Sequence, residues 1–415
     1  AGRRGHGARA AAARGGGSPV RRDRRLRVVH VLGRLDRGGV ETWLLNVMRH
    51  IDRSRIEMHF VVHDEQAGAH DDEIRALGGR IMPCLRPSEP WRYTPALRRI
   101  LRAREPYDIV HSHVHHFSGY VLGVARSAGV AARIAHSHVD TSMEETEAGV
   151  PRRLYLAAMR RSIHTHATAG FAASRGAAVA LFGPAWRADP RWRTLYYGID
   201  PVAFAGDVDR ARVRRGLGLP DRAIVVGHVG RFMRQKNHEF LLRVVAEAAR
   251  SEPRLRLLLV GEGPLRPAME GEAERVGLAG KAFFAGSRSD VPTVMRGGMD
   301  VFLFPSLWEG LAVALLEAQA AGLPCVVSDT MAEEADAAPG LMRRLSLSAP
   351  PADWARAIVE AGRRADVNRE TAWARMSGGR FDIRTSARAL ESAYLRLVGA
   401  ETSRGAPDGR EVSNR

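Results

Sequence analysis

Three groups of residues in this chain have types and spacings that could do chemistry. Glu309 and Glu317 lie eight positions apart in VFLFPSLWEGLAVALLEAQAAGLPCVVSD, residues 301–329. Glu317 interrupts an otherwise apolar segment, where a carboxylate is costly to bury unless something pairs with it. On a helix the two acids would stand roughly 12 Å apart along the axis. A long polyhydroxylated ligand could meet both, with its phosphates at the helix start between them. A single acid at that place would be an ordinary contact with the helix dipole. The second group is Arg231 and Lys236, in Gly230-Arg231-Phe232-Met233-Arg234-Gln235-Lys236-Asn237. A guanidinium fork and a point ammonium on one loop can grip a diphosphate as it becomes a leaving group. Lys236 is one of only two lysines, with Lys281, among 63 Lys and Arg residues. Arg and Lys are not interchangeable at tight phosphate sites, so a rare lysine at such a place points to a need for an ammonium. The third group is His111-Ser112-His113 with His115 and His116, and His136-Ser137-His138. Metals use the His-x-His spacing, but Asp, Glu or Cys companions at typical ligand spacing are lacking. Polar strand ends, with one histidine lining a cleft, is the competing reading.

Each group sits where a strand hands over to a loop and helix. Val301–Phe304 reads as a buried strand ended by Pro305; Leu311–Ala321 is built from strong helix formers and stopped by Gly322; Cys325–Val327 reads as the next strand. The strand Ala223–Val229 precedes the Arg231/Lys236 loop, and a helix over His238–Arg250 follows it. The strand Leu26–Leu32 precedes the Gly38-Gly39 loop, and an amphipathic helix over Thr42–His50 follows. Such a loop presents N–H groups to an anion, although an ordinary βα turn looks the same. Gly261 and Gly263 would let backbone approach a ligand closely. Further strand-like runs at 58–62, 80–83, 108–110, 133–135, 167–173, 255–260 and 282–285 alternate with helical stretches. That alternation predicts doubly wound α/β domains, whose ligands sit at the carboxyl ends of the strands.

The 301–329 stretch resembles the E-x7-E signature of the family 4 glycosyltransferases. Pro305, Ser306, Glu309, Gly310, Glu317, Ala318, Ala320, Gly322 and Pro324 match its frame. The Arg231/Lys236-Asn237 loop resembles the family's phosphate clamp, and Gly38-Gly39-Val40-Glu41 its glycine pair after the first strand. Tyr197-Gly198-Ile199-Asp200 resembles the close of the family's first domain, with Tyr197 in place of the usual Asn. The run from Gly38 to Thr42, the two His-Ser-His stretches and the 317–329 run are most similar to the bacterial exopolysaccharide and capsular polysaccharide branch. The resemblance implies a GT-B fold, with two Rossmann-like doubly wound domains facing a central cleft. It implies a retaining transfer of a sugar from a nucleotide-diphosphate sugar, of the uridine type, to a saccharide or lipid-linked acceptor. In that reading Arg231 and Lys236 neutralise the diphosphate, helped by N–H groups at Gly39, Gly310 and Leu311. Gly38, Gly230 and Gly263 line the nucleotide site. Glu309 meets the sugar hydroxyls, Glu317 holds the ribose, and His138 contacts the donor sugar, with His136 the second choice because period 2 puts both on one strand face. The resemblance implies no cofactor and no obligatory metal.

Length and charge set the bounds. A chain of 415 residues suggests two domains of roughly 200 residues. The expected divisions are a disordered basic tail (1–25), an N-terminal acceptor domain (26–205), a C-terminal donor domain (206–375), a helix returning to the first domain (376–400) and a disordered end (401–415). The net charge is +17, and residues 1–25 carry eight Arg against one Asp. Such charge fits nucleotide phosphates, acidic lipid head groups or nucleic acid. The arginines are dispersed rather than interleaved with aromatics, so no specific nucleic acid is expected. The Arg-edged segment Pro151–Ile163 reads as a surface helix packed on the sheet or as a contact with anionic lipid. No run approaches the roughly 20 apolar residues of a membrane span. Cys84 and Cys325 make no disulfide framework. A cytoplasmic protein, peripheral at most on the inner membrane face, is the expectation. The alternative function is a metal-dependent hydrolase built on His111, His113, His136 and His138.

Overall fold

The computed structural model of the protein describes residues 24–102, 106–146, 148–363 and 371–399. Most of the stretches expected to be disordered, 1–25 and 401–415, lie outside the described residues. Arg24 and Arg25, counted with the tail, lie against Asp108 (2.5 Å) and Glu57 (3.8 Å).

Short β-rich runs pair in two separate parallel sheets. The first holds β1 (Leu26–Leu32), β2 (Ile56–Val62), β3 (Ile81–Pro83), β4 (Ile109–Ser112), β5 (Ala132–Ser137), β6 (Ala169–Ala172) and β7 (Trp192–Thr194). Its order is β3-β2-β1-β4-β5-β6-β7. The second holds β8 (Ile224–Val229), β9 (Leu255–Val260), β10 (Ala282–Phe284), β11 (Val301–Phe304), β12 (Cys325–Ser328) and β13 (Met342–Leu345), ordered β10-β9-β8-β11-β12-β13. The central strands β1, β4, β8, β11 and β12 are buried almost throughout, as strands covered by helices on both faces must be. This is the doubly wound Rossmann-like arrangement, twice. The strand order reverses between β1 and β4 and between β8 and β11, and the loops leaving those strands face one crevice.

The edge strands β7 and β13 had no sequence signal. Trp-Arg-Thr and Met-Arg-Arg-Leu carry no apolar run, because an edge strand is only partly covered. The helix expected from Leu311 begins at Val313, since Ala312 stays extended (φ −72°, ψ 101°). It ends before Gly322, whose φ of +67° is the left-handed turn that glycine takes at a helix C-terminus. Residues Ala372–Met376 form one helical turn. Cys84 and Cys325 are buried free thiols.

The helix Ile383–Leu397 leaves the second domain and packs on the helix Gly39–His50 of the first. The Trp43 indole donates to Ser386 Oγ (3.0 Å), and that hydroxyl donates to the Tyr196 carbonyl (3.0 Å). Phe381 and Ile383 bracket Ile199 through two backbone hydrogen bonds of 2.9 and 2.8 Å. One apolar cluster therefore runs from Val28 and Trp43 through Leu390 and Tyr394 to Phe302 and Leu315.

Candidate active site

The Arg231/Lys236 loop and the loop holding Glu309 are sewn together. Leu307 N donates to the Gln235 carbonyl (2.8 Å), the Gln235 amide donates to the Trp308 carbonyl (2.8 Å), and the Asn237 amide donates to the Pro305 carbonyl (3.1 Å). Asn237 takes a left-handed φ of +54° to do so. From below, Ser328 and Thr330 donate to the Ser306 carbonyl. These bonds place the Lys236 ammonium 2.5 Å from Glu309 Oε1, with both side chains largely buried. The same ammonium stands 4.7 Å over the Phe304 ring. Gly230 is small for this purpose: a Cβ there would come within 3.2 Å of the Lys236 stem. Gly261 and Gly263, at φ +143° and +156°, lay their loop directly on the 230–232 backbone, where a Cβ would strike the Gly230 or Phe232 carbonyl. Thus Gly230 packs against the His228 and Lys236 side chains and Gly263 against the Phe232 backbone, and both support the Arg231/Lys236 loop.

The first domain closes on this construction at two glycines. A Cβ on Gly310 would fall 1.9 Å from the His138 carbonyl oxygen, and one on Gly39 would fall 3.4 Å from Val313. The starts of the helices Gly39–His50 and Val313–Ala320 therefore approach each other across the crevice. Arg231 is exposed and reaches over it: its Nη2 would lie 3.6 Å from a Cβ on Gly38. Beneath it is Glu41, whose carboxyl is pushed up by burial and drawn partly back by the Arg231 charge. Glu41 stood inside the glycine motif as sequence, but its meeting with Arg231 depends on the two domains. Further along the second helix, Glu317 has no hydrogen bond or ion pair among the described residues, and burial pushes its carboxyl up to about 7. Glu309 lies in the loop, so helical rise does not measure its distance from Glu317. Leu311 is buried, two residues before the helix.

The histidines form a different structure. His111 Nε2 is 3.0 Å from His136 Nδ1, and His113 Nδ1 is 2.8 Å from His138 Nε2. His30, which sequence reasoning missed inside the apolar strand LRVVHVL, extends this array with Nδ1 2.9 Å from His113 Nε2. Tyr197 and Tyr394 close the ends, on His138 Nδ1 and on His111 Nδ1 (2.7 Å). The five rings are buried, and desolvation holds them far below the ordinary imidazole range, to about 3 for His30 and His138. They are neutral near pH 7. Both ring nitrogens of His138 are occupied, so it presents its main chain, and not a free imidazole nitrogen, to the Gly310 loop. His136 is fully buried. Ring nitrogens of His30, His111 and His113, and of His113, His136 and His138, lie within 4.8 Å of one another. Those nitrogens bond mainly one another, in a region with no carboxylate in either group.

Two Rossmann-like domains are thus joined by a returning helix, with a cationic loop and an acid at the carboxyl ends of the second sheet. Sequence comparison gives the family. The profile for "Glycosyl transferase 4-like domain" matches residues 38–198, and that for "Glycosyl transferases group 1" matches residues 223–364. The chain is 37% identical over 373 residues to EpsF of Bacillus subtilis (strain 168), whose name assigns it as a glycosyltransferase; the match covers 89% of this chain and 96% of that protein. The protein belongs to the family 4 glycosyltransferases. A shorter match, 32% identical over 136 residues, joins 32% of this chain to 35% of the Escherichia coli UDP-Gal:alpha-D-GlcNAc-diphosphoundecaprenol alpha-1,3-galactosyltransferase. Among solved structures, Anabaena HepE in complex with UDP superposes with a TM-score of 0.72 at 19% identity, over 90% of this chain and all of that one. The lipopolysaccharide glycosyltransferase WaaG superposes with 0.67 at 17% identity, over 90% and 99%. These establish the GT-B fold. The hydrolase alternative finds no support in these matches. No helix among the described residues is long and apolar enough to cross a membrane.

Proposed function

We propose that the protein moves a sugar from a nucleoside-diphosphate sugar, of the uridine type, onto a saccharide or lipid-linked acceptor in cell-surface polysaccharide synthesis, with retention at the anomeric carbon. The observation that carries this reading is the Lys236–Glu309 pair, fixed at 2.5 Å by two hydrogen-bonded loops at the mouth of the crevice. Two similar proteins favour a uridine donor: HepE is complexed with UDP-glucose, and the Escherichia coli relative is named for UDP-Gal.

As the bond from the sugar to the diphosphate breaks, its electron pair goes to the phosphate oxygen and positive charge grows on the anomeric carbon. Arg231 and Lys236 would meet the phosphate charge, helped by the N–H groups of Gly39, Gly310 and Leu311. The diphosphate would draw Lys236 from Glu309, freeing that carboxylate for the sugar hydroxyls and the developing cation. Glu317, without a hydrogen-bond or ion-pair partner among the described residues, would take the ribose hydroxyls. His138 would reach the sugar with its ring only by giving up Tyr197 or His113; its carbonyl against Gly310 sets the approach of the two domains instead. Charge neutralisation is assigned to the chain's own cations, with no obligatory metal.

The test is thermal stabilisation by a panel of nucleoside diphosphates, with Lys236→Ala alongside. A ligand at 100 times its Kd should add about 2.7 kcal/mol. UDP is expected to stabilise the wild type and not the variant. Stabilisation of both alike, or of neither by any nucleotide, would count against the site.

A further inference from the structure

Two histidines bracket the Arg231/Lys236 loop, and the chemistry assigned to that loop uses neither. His228 lies on β8, just before Gly230, and His238 opens the helix His238–Ser251 that follows the loop. Both are buried, at 0% and 2% exposure. Their rings meet edge-on with centroids 5.0 Å apart. His238 stacks on Phe232 at 4.3 Å, and His228 on Phe304 at 5.4 Å. Burial, above all, disfavours the charged imidazoles, holding His228 far below the ordinary range and His238 at about 4. Both are neutral near pH 7.

A neutral imidazole has one N–H and one lone pair, and the partner of one nitrogen fixes the state of the other. His228 Nδ1 lies 2.9 Å from the Leu303 carbonyl oxygen, which can only accept. Nδ1 therefore carries the proton, and Nε2 carries the lone pair. That Nε2 is buried and has no hydrogen-bond partner among the described residues. An acceptor left so in the interior is costly. It faces the clamp: a Cβ on Gly230 would lie 2.9 Å from His228 Nε2 and 3.2 Å from Lys236 Cε. Only the side chain that Gly230 lacks would separate the imidazole lone pair from the lysine. The Phe304 ring on which His228 stacks also has the Lys236 ammonium 4.7 Å over it. An ammonium has three protons to donate, and in this arrangement Glu309 Oε1 accepts at 2.5 Å.

We propose that His228 is a positioning residue for the transfer: its Nε2 accepts a hydrogen bond from the Lys236 ammonium once the diphosphate has drawn that ammonium off Glu309. The lysine then does not return to Glu309 while positive charge grows on the sugar, and the carboxylate stays free for that charge. Because Glu309 meets the sugar, the ammonium beside it meets the phosphate that bears the sugar, the β-phosphate. The proposal rests on the donor reading above and adds to it the group that holds the lysine.

The test is calorimetric titration of the full chain with UDP and with UMP, which lacks the β-phosphate. His228→Phe keeps a ring on Phe304 and removes the lone pair. It should weaken UDP about ten-fold, the size of one hydrogen bond to a charged group, and leave UMP unchanged. His228→Gln sets a carbonyl oxygen near the place of Nε2 and should restore most of the UDP affinity. Nuclear magnetic resonance of protein carrying isotope-labelled histidine, with the His228 signals assigned by their loss in His228→Phe, should show the Nδ1–H tautomer. Equal losses of UDP and UMP in His228→Phe would make the residue merely structural. That result, UDP affinity untouched by the variant, a loss that Gln does not restore, or an Nε2–H tautomer would each overturn the proposal and leave the donor site standing. If the wild type binds neither nucleotide, the donor reading falls and this proposal falls with it.

Discussion

The two sheets present their carboxyl ends to the same crevice but solve opposite electrostatic problems. The first sheet ends in imidazoles that bond mainly one another and carry no charge, with only His30 Nε2 and His136 Nε2 of the array left without a partner among the described residues. The second ends in Arg231, Lys236 and Glu309, charges paired only in part with protein. A buried neutral network of this kind serves to fix backbone. A charged group held near a crevice with an incomplete partner set is arranged for something that arrives. On the proposed function, the histidine-rich domain bears on geometry while the other bears on chemistry.

The contact between the two regions is the sharpest place to test this. Gly310→Ala puts a Cβ 1.9 Å from the His138 carbonyl, and neither backbone can yield without moving the domains apart. A misplacement of about 1 Å can cost ~10²-fold in rate. Sugar transfer should fall by about that factor, while UDP still protects the second domain against thermal unfolding. Full activity in Gly310→Ala would break the comparison, because the histidine array would then position nothing that matters to transfer.

The array itself should reveal its neutrality through pH. His30 is lowered from 6.5 to about 3 by burial, and His59 adds to that shift. The unfolded chain takes up a proton below about 6.5 that the folded chain refuses until about 3. Stability is therefore complete above 6.5 and falls as pH drops through that window. At pH 5 one such histidine accounts for about 2 kcal/mol. Urea unfolding at pH 7.5 and 5 should show a large loss in the wild type and about 2 kcal/mol less loss in His30→Phe, whatever that variant's stability at pH 7.5. Equal losses in both would mean that His30 is protonated in the folded state.

Much of the proposed site was legible because strand, loop and helix boundaries bracket it. Arg231, Lys236, Glu309 and Glu317 sit in continuous motifs whose local geometry follows from Pro305, Gly322 and the apolar runs. What stayed hidden depends on residues far apart in the chain. His30 reads as one polar residue in an apolar strand until the β1–β4 register sets it opposite His111. Gln235 and Asn237 matter through bonds to carbonyls about 70 residues away. Glu41 gains its meaning from Arg231 in the other domain. His138 was placed correctly on its strand end, but which way a ring bonds within an array of five is a packing result that spacing does not encode.

Glu317 offers the smallest effect and separates the two regions most cleanly, since it is a desolvated group on the charged side. Its carboxyl is pushed up from 4.5 to about 7 by burial. Above pH 7 the folded protein must hold an ionised carboxylate away from water, whereas below 4.5 both states are protonated and nothing is lost. Because the folded state binds the proton more tightly, this group makes stability fall as pH rises from 4.5 to 7, opposite in sign to the histidines. Glu317→Gln should therefore stabilise the ligand-free protein at pH 8 by roughly 1–2 kcal/mol, after allowance for its partial exposure. The gain should vanish at pH 4.5. The same variant should lose much of its stabilisation by UDP, because an amide replaces the acceptor proposed for the ribose hydroxyls. Thermal unfolding at the two pH values, with and without UDP, reads both effects. A variant that gains stability and still responds fully to UDP would make Glu317 a buried acid unrelated to the ligand; one that loses stability at pH 8 would show that the carboxylate has a partner in the folded chain.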